Sequence, residues 1–332
     1  LRYGSGYVID PDLDNGVFLF TGYDIVVEDE VSKGDDDLRQ FLGGFFWVKE
    51  AFRLFGLPFH DFKLQYSNGY RRSRAAGLKF LSTLFHLGFG VGGFHFTGEF
   101  APLLGSTREI SKATDIIAGT IAPEDEGTLQ RIRQYGAYLE AGYDFGPFEF
   151  IFEFDFASGD DDPSSTSDLT QFTFAEDTNV GLLMFEHILA FETARSAAVG
   201  NDLLQSQNAI AYPTTSISTE GAFTNGIAFF PQGVFHFGPD LDLTVGSLIA
   251  WAHKPVIDPI LSLVEGRDVN FNGGEPGRFY GVEFDGRLTW KLYDRFLLDI
   301  ESAYLLPGDA FYDEHRDAVN AFFLETRFTF LF

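Results

Sequence analysis

The side chains of this chain best placed to do chemistry are carboxylates that recur at every second position. Glu149, Glu153 and Asp155 share one parity of FEFIFEFDF, and Glu283 and Asp285 share one parity of YGVEFDGRLTWKL with Arg287 and Lys291. Asp299 and Glu301 follow the same rule, as do Glu325 and Arg327 in the terminal FFLETRFTFLF. With Glu99, Glu140 and Asp144, these acids outnumber the bases Lys63, Arg287, Lys291 and Arg327 on the same parity. Carboxylates that few bases offset attract cations and repel polyanions, and low-dielectric walls focus that field. The bland alternative is that the charges pair locally and fill an interior with no open channel.

Other chemistry is thinner. DVNFNGGE (268–275) sets Asp268, Asn270 and Asn272 at alternate positions before Gly273, like the first half of an EF-hand loop. The closing bidentate Glu is missing, since Phe279 stands there. DPDLDNG (10–16) is a looser version, with Asp10, Asp12 and Asp14. Ca²⁺ is therefore the one candidate cofactor, against the reading of both stretches as polar turns. No enzyme is expected. The histidines at 60, 86, 95, 187, 236, 253 and 315 show no catalytic spacing, and H-E-x-x-H, G-x-S-x-G and P-loop motifs are lacking. A formal charge of −26 argues against a nucleic-acid partner.

The elements that must position these carboxylates are β-strands, because a period of two puts successive side chains on opposite faces. In FEFIFEFDF the acids oppose Phe148, Phe150, Phe152, Phe154 and Phe156. Glu283 and Asp285 oppose Tyr280, Val282, Phe284, Leu288 and Trp290; Asp242 and Thr244 oppose Leu241, Leu243, Val245 and Trp251. Further alternating segments lie near 17–28, 43–53, 61–68, 77–87, 91–100, 131–145 and 222–237. Each is close to the roughly 9–11 residues that cross a bilayer at a tilt. Phe accounts for 40 residues and Gly for 36, yet mean hydropathy is near zero. The apolar content is thus dispersed along alternating strands, and no run is long enough for a transmembrane helix. There is no Cys, which excludes a disulfide framework. Leu1 opens on no signal-peptide pattern, so the chain reads as a mature protein without its export signal.

Connections supply a direction. Short turns at 145–147, 238–240 and 292–294 alternate with long polar stretches at 101–129, 158–220, 253–276 and 307–317. That is the pattern of an outer-membrane barrel, with short periplasmic turns and long extracellular loops. The expected fold is all-β: one transmembrane antiparallel up-and-down β-barrel over residues 1–332, of about 14 strands within a range of about 12 to 18. A soluble β-sandwich is the competing fold. The long loop 158–220 carries TNVGLLMFEHILAFETARSAA (178–198), read as a helix capped by Thr178. Val180, Leu183, Met184, Ile188 and Phe191 share one face of that helix. An apolar stripe needs a partner surface, so the loop is expected to fold into the mouth, with Leu183, Met184, Ile188 and Phe191 forming a constriction or plug.

One stretch resembles a family. GAYLEAGYDFGPFEFIFEFDFASGDDDPSS (136–165) followed by FTFAEDTNVGLLMF (172–185) is similar to the alginate-export family of outer-membrane barrels. In that family a strand ends in an acidic Ser-Gly-Asp segment and opens into a long loop. The resemblance implies an export conduit for an anionic polyuronate through a pore lined with basic residues, and the acidic parity above does not match that lining. The terminal strand ending on Phe332 resembles the C-terminal signal read by the barrel-assembly machinery. The expected location is the bacterial outer membrane, with membrane lipid and lipopolysaccharide as partners. Arg71, Arg72 and Arg74 are placed to meet lipopolysaccharide phosphates.

The expected function is a passive channel or export conduit for cations or a neutral or polymeric solute. Its pore lining is Glu140, Glu149, Glu153, Asp155, Glu283, Asp285, Arg287, Asp299, Glu301, Glu325 and Arg327. The alternative is a structural barrel, with no open pore, that anchors or sleeves a periplasmic or envelope assembly.

Overall fold

The computed structural model describes residues 15–26, 38–73, 77–175, 178–209, 217–292 and 295–330. Twelve strands occur among them: β1 (Asn15–Val26), β2 (Leu38–Leu54), β3 (Leu57–Ser73), β4 (Leu78–Val91), β5 (Phe94–Thr107) and β6 (Gln130–Asp144), followed by β7 (Phe148–Ala157), β8 (Gly226–His236), β9 (Leu241–Ala252), β10 (Phe279–Leu292), β11 (Phe296–Pro307) and β12 (Ala321–Phe330). They form one sheet in sequence order, and each successive pair is antiparallel. This is the strand order of an up-and-down β-barrel. All twelve alternating segments of the sequence are strands. Twelve strands lie among the described residues, within the expected range of about 12 to 18 and below the central figure of about 14.

The connections separate by end. Those at 55–56, 92–93, 145–147 and 237–240 are tight turns at one end of the sheet. Gly146 (φ 93°) and Gly238 (φ 101°) supply the left-handed backbone that such tight reversals need. Asp144 Oδ1 steadies the first of these by accepting from Gly146 N at 2.6 Å. At the other end lie 108–129, 158–225, 253–278 and 308–320, which carry the helices. These are α1 (Glu109–Ile117), a π-helical turn (Met184–Leu189) running into α2 (Ala190–Ser206), α3 (Pro259–Glu265) and a 3₁₀ turn (Asp309–Phe311). No helix among the described residues is long and apolar enough to cross a membrane, a finding that does not bear on spans made of strands.

The two faces of the sheet invert the polarity of a soluble protein. Phe322, Leu324 and Phe328 on β12 are exposed by 67%, 62% and 71%, while Asp155 on β7, Glu283 on β10 and Asp299 on β11 are buried. Aromatic rings line the outward face near the tight turns: Phe52, Phe59, Phe89 and Phe94 meet in sequence across β2 to β5, with centroids 5.2, 5.6 and 6.2 Å apart. Tyr143, Phe145, Phe148 and Phe235 continue the band at 4.6, 6.1 and 5.0 Å. Near the opposite end Tyr23, Phe41, Tyr70, Trp251, Tyr304 and Phe322 are exposed on the same face.

The interior is filled from the long-loop end. Val180, Leu183, Met184, Phe185, Leu189 and Phe223 from the 158–225 insert are buried with Ala228, Phe230, Leu248, Ala250, Tyr280, Ala303 and Leu305 from β8 to β11. Leu103 of β5 and Phe323 of β12 pack against the same cluster. The sheet therefore curls so that strands far apart in order face one core. Fully burying a side chain of this size stabilises by roughly 1.5–3 kcal/mol, which explains why the apolar insert lies inside.

Candidate functional site

Register brings the alternating carboxylates of each strand onto the inner wall. Glu140 on β6 lies opposite Glu153 on β7, and Tyr138 lies opposite Asp155. Tyr138 donates to Glu140 Oε2 at 2.8 Å, and Gln232 on β8 donates to Glu153 Oε2 at 3.1 Å. Both oxygens of Asp155 are buried without a hydrogen-bond donor, as are both oxygens of Asp285 on β10.

On β10 to β12 the acids are offset instead. Arg287 stands opposite Glu301 and Asp299 opposite Arg327. Arg287 reaches Asp299 at 3.6 Å and Glu301 at 3.1 Å, and Arg327 reaches Glu301 at 4.0 Å and Glu325 at 2.8 Å. Nearer the tight turns the acids meet histidines. His86 Nδ1 lies 2.8 Å from Glu99, His95 Nε2 3.5 Å from Glu149, and His236 Nδ1 2.7 Å from Asp242. The wall thus divides into an arginine-compensated sector, a histidine-paired sector that reaches Glu140 through His95 at 3.9 Å, and two acid groups, Glu140–Glu153–Asp155 and Glu283–Asp285, beside which no ion pair with arginine or lysine occurs among the described residues.

Glu283 has a different partner. Its Oε1 accepts from Leu182 N and Leu183 N at 2.7 and 2.8 Å, and its Oε2 accepts from Met184 N at 2.6 Å. These are the unpaired N–H groups at the start of the π-helical turn, where a negative charge is favoured. The cap expected from Thr178 is therefore corrected: the first helical residues are capped by a carboxylate about a hundred positions away, on the wall. No short-range pattern can reveal such a cap.

The π-helical turn also corrects the face of the insert. Ile188 N bonds Leu183 O at 3.0 Å, an i→i+5 bond that places an extra residue in the turn. Leu183 and Met184 are buried, and Ile188 packs beside them. Past the wide turn the phase advances by a residue, so Glu192, Thr193, Ser196, Ala197, Gly200 and Leu204 turn inward. Phe191, expected in the constriction, is 68% exposed.

Polar contacts hold α2 to the neighbouring loops. Asn272 Nδ2 donates to Glu192 Oε1 at 2.7 Å, Arg195 donates to Phe271 O, and Ser196 donates to Asp258 Oδ1 at 2.6 Å. Burial pushes the Glu192 carboxyl up to about 7. Asp258 also caps α3, accepting from Ile260 N and Leu261 N, with Pro259 next and Gly266 closing the helix at φ 67°. Asp-Pro before a short apolar run that stops at Gly is a legible helix signal that the strand-based reading passed over.

The expected calcium ligands have protein partners. Asn270 is fully buried; its Oδ1 accepts from Asn272 N and Gly274 N at 2.9 Å each, and its Nδ2 donates to Tyr312 O at 2.7 Å. Asp268 is exposed on the loop surface. The Asp10, Asp12 and Asp14 stretch, Arg74 and Phe332 lie outside the described residues. Arg71 donates to Gln40 and lies over Phe80, 5.5 Å from the ring centroid.

No family model matches the chain, and no curated protein matches it. Among solved structures, the chain is similar to the beta domain of the Bordetella autotransporter Brka. The identity is 10%, with 96% of this chain and 100% of that chain covered, at a TM-score of 0.25.

Proposed function

We propose that this chain is a β-barrel of the bacterial outer membrane, and that its interior is a conduit closed at the long-loop end by the 158–225 insert. One observation carries the membrane reading: large apolar side chains cover the outward face, while carboxylates are buried on the inward face. Water on the outside would make that arrangement unfavourable, whereas lipid makes it favourable. The two outward aromatic zones suit the two interfaces of a bilayer. Membrane lipid is then the partner of the outward face, and the last strand is a fitting substrate for the barrel-assembly machinery.

The solute is inferred from the wall. Two acid groups that form no ion pair with arginine or lysine among the described residues favour cations or neutral molecules over a polyuronate. A second reading is supported by the depth of the insert's packing: with Val180, Met184, Phe185 and Phe223 almost fully buried, the barrel can serve as a closed structural sleeve.

Planar-bilayer recording separates the two. The intact protein should conduct poorly, and deletion of 178–206 should raise conductance. The open form should prefer cations, less so at high salt as screening grows. Anion selectivity would refute the acidic-wall argument, and closure in both forms would favour the sleeve.

A further inference from the structure

The hairpin of β6 and β7 places four polar side chains at the corners of a rectangle on the inner wall. Glu140 stands opposite Glu153, and Tyr138 opposite Asp155. Partners across two strands lie about 5 Å apart, and alternate residues along one strand about 7 Å. Three of the four corners are carboxylates, with side chains long enough to meet over the middle of that rectangle.

Asp155 is the corner that needs explaining. It is fully buried, yet neither of its oxygens accepts a hydrogen bond. The charged groups that face it are the carboxyls of Glu153 and Glu140. Glu153 is itself buried, with Oε2 accepting from Gln232, and Glu140 accepts from the Tyr138 hydroxyl. Like charges this close repel strongly in surroundings of low dielectric, and buried carboxylates are normally paired or bound to a metal. Asp155 stands opposite Ala228 and Glu153 opposite Phe230, both part of the core that the insert fills. The carboxylates thus lie where the insert ends and the polar wall begins.

We propose that Glu140, Glu153 and Asp155 bind one Ca²⁺ at the floor of the insert. An all-oxygen donor set selects a hard cation, and carboxylates that give one or two ligands each suit the flexible coordination of Ca²⁺. Mg²⁺ keeps several waters and demands octahedral geometry, which suits strand-fixed carboxylates beside an apolar core less well. Glu140, whose side chain is 27% exposed, is the member with room to swing onto the ion. The site holds for an open conduit and a closed sleeve alike, so its failure leaves either function standing.

The test measures binding of radioactive Ca²⁺ to the full chain in neutral detergent by equilibrium dialysis, at physiological salt to screen the exposed acids. Asp155→Asn and Glu153→Gln should each lower the bound count by one ion. Tyr138→Phe should keep the ion but weaken its binding by about tenfold or more, as loss of an outer-shell partner does. Asp161→Asn with Asp162→Asn, in the acid run 160–162 whose carboxylates lie within 4.8 Å of one another, should leave that ion in place. Melting is the second readout. Asp155→Asn removes a buried charge, so without Ca²⁺ it should melt no lower than wild type. Added Ca²⁺ should then raise wild type more than the variant, because binding to the folded state adds stability by mass action. If Asp155→Asn does not fold, Glu153→Gln carries both measurements. The proposal is overturned if the folded variants bind as many ions as wild type, if the loss follows Asp161 and Asp162 instead, or if Ca²⁺ raises the melting temperature of wild type and variant equally.

Discussion

The two halves of the interior are built on opposite principles. Towards the tight turns the wall is polar and its partners lie on the next or the next-but-one strand: His86 with Glu99 and His236 with Asp242 on adjacent strands, and His95 with Glu149 across β6. Towards the long loops the space is occupied by apolar side chains of a segment that is not part of the sheet at all. A pair between neighbouring strands is secured by the register and survives any movement of the loops. The insert is secured by its own burial, by Glu283, and by a few bonds from α2. On the proposed conduit reading, control of access would belong to the loop half, and the turn half would supply a fixed polar lining.

Substitutions can break that contrast. Phe185→Ala should have the largest effect, since truncating a fully buried Phe removes about 3–5 kcal/mol. Limited proteolysis should then cut the insert while the strands stay resistant. His95→Ala, in the half-exposed pairs of the turn half, should change stability by less than about 1 kcal/mol. Equal sensitivity of both variants would abolish the distinction between the halves.

Glu283→Ala probes the same contrast from the wall. It leaves three N–H groups without their acceptor, each worth about 1–3 kcal/mol when buried. Hydrogen exchange at Leu182, Leu183 and Met184 should accelerate, and Glu283→Gln should restore part of the protection. Asp285→Asn, only two residues away, should have little effect on the Leu183 and Met184 amides. A matching loss in both would show that general wall charge, and not the cap, holds the insert.

A pH scan sharpens the comparison further. The Glu192 carboxyl is raised from its ordinary value to about 7 by burial, so between about 4.5 and 7 the folded insert holds a proton that the unfolded segment has released. Stability of the insert should fall as pH rises through that window. Protease cleavage within 190–206 should be faster at pH 8 than at pH 5, and Glu192→Gln should flatten the difference. A cleavage rate that rises towards acid pH would contradict the sign.

The smallest expected effect concerns the 268–275 loop. Asn270→Ala should lower the melting temperature by the same few degrees with millimolar Ca²⁺ or with chelator, because the amide bonds to protein atoms on every side. A loss confined to Ca²⁺-containing buffer would establish an ion there.

Alternation at a period of two was enough to read the twelve strands of the described residues, their inward and outward faces, and the division between tight turns and long loops. Those features depend on neighbours one to a few residues apart, so sequence order carries them directly. It also carried the buried positions Leu183 and Met184, because an apolar run must find a partner. What the insert packs on, how Glu283 caps it, and where Phe191 points were decided by contacts between residues a hundred positions apart. The π-helical turn shows why. Helical phase from Val180 puts Phe191 on the buried face, but a single extra residue in the turn rotates everything after it, and only the tertiary fit determines whether that residue is present. The same holds for the charges. The acid-rich parity is a property of the sequence, whereas which acids meet Arg287, Arg327 or a histidine and which stand alone follows from the stagger between strands.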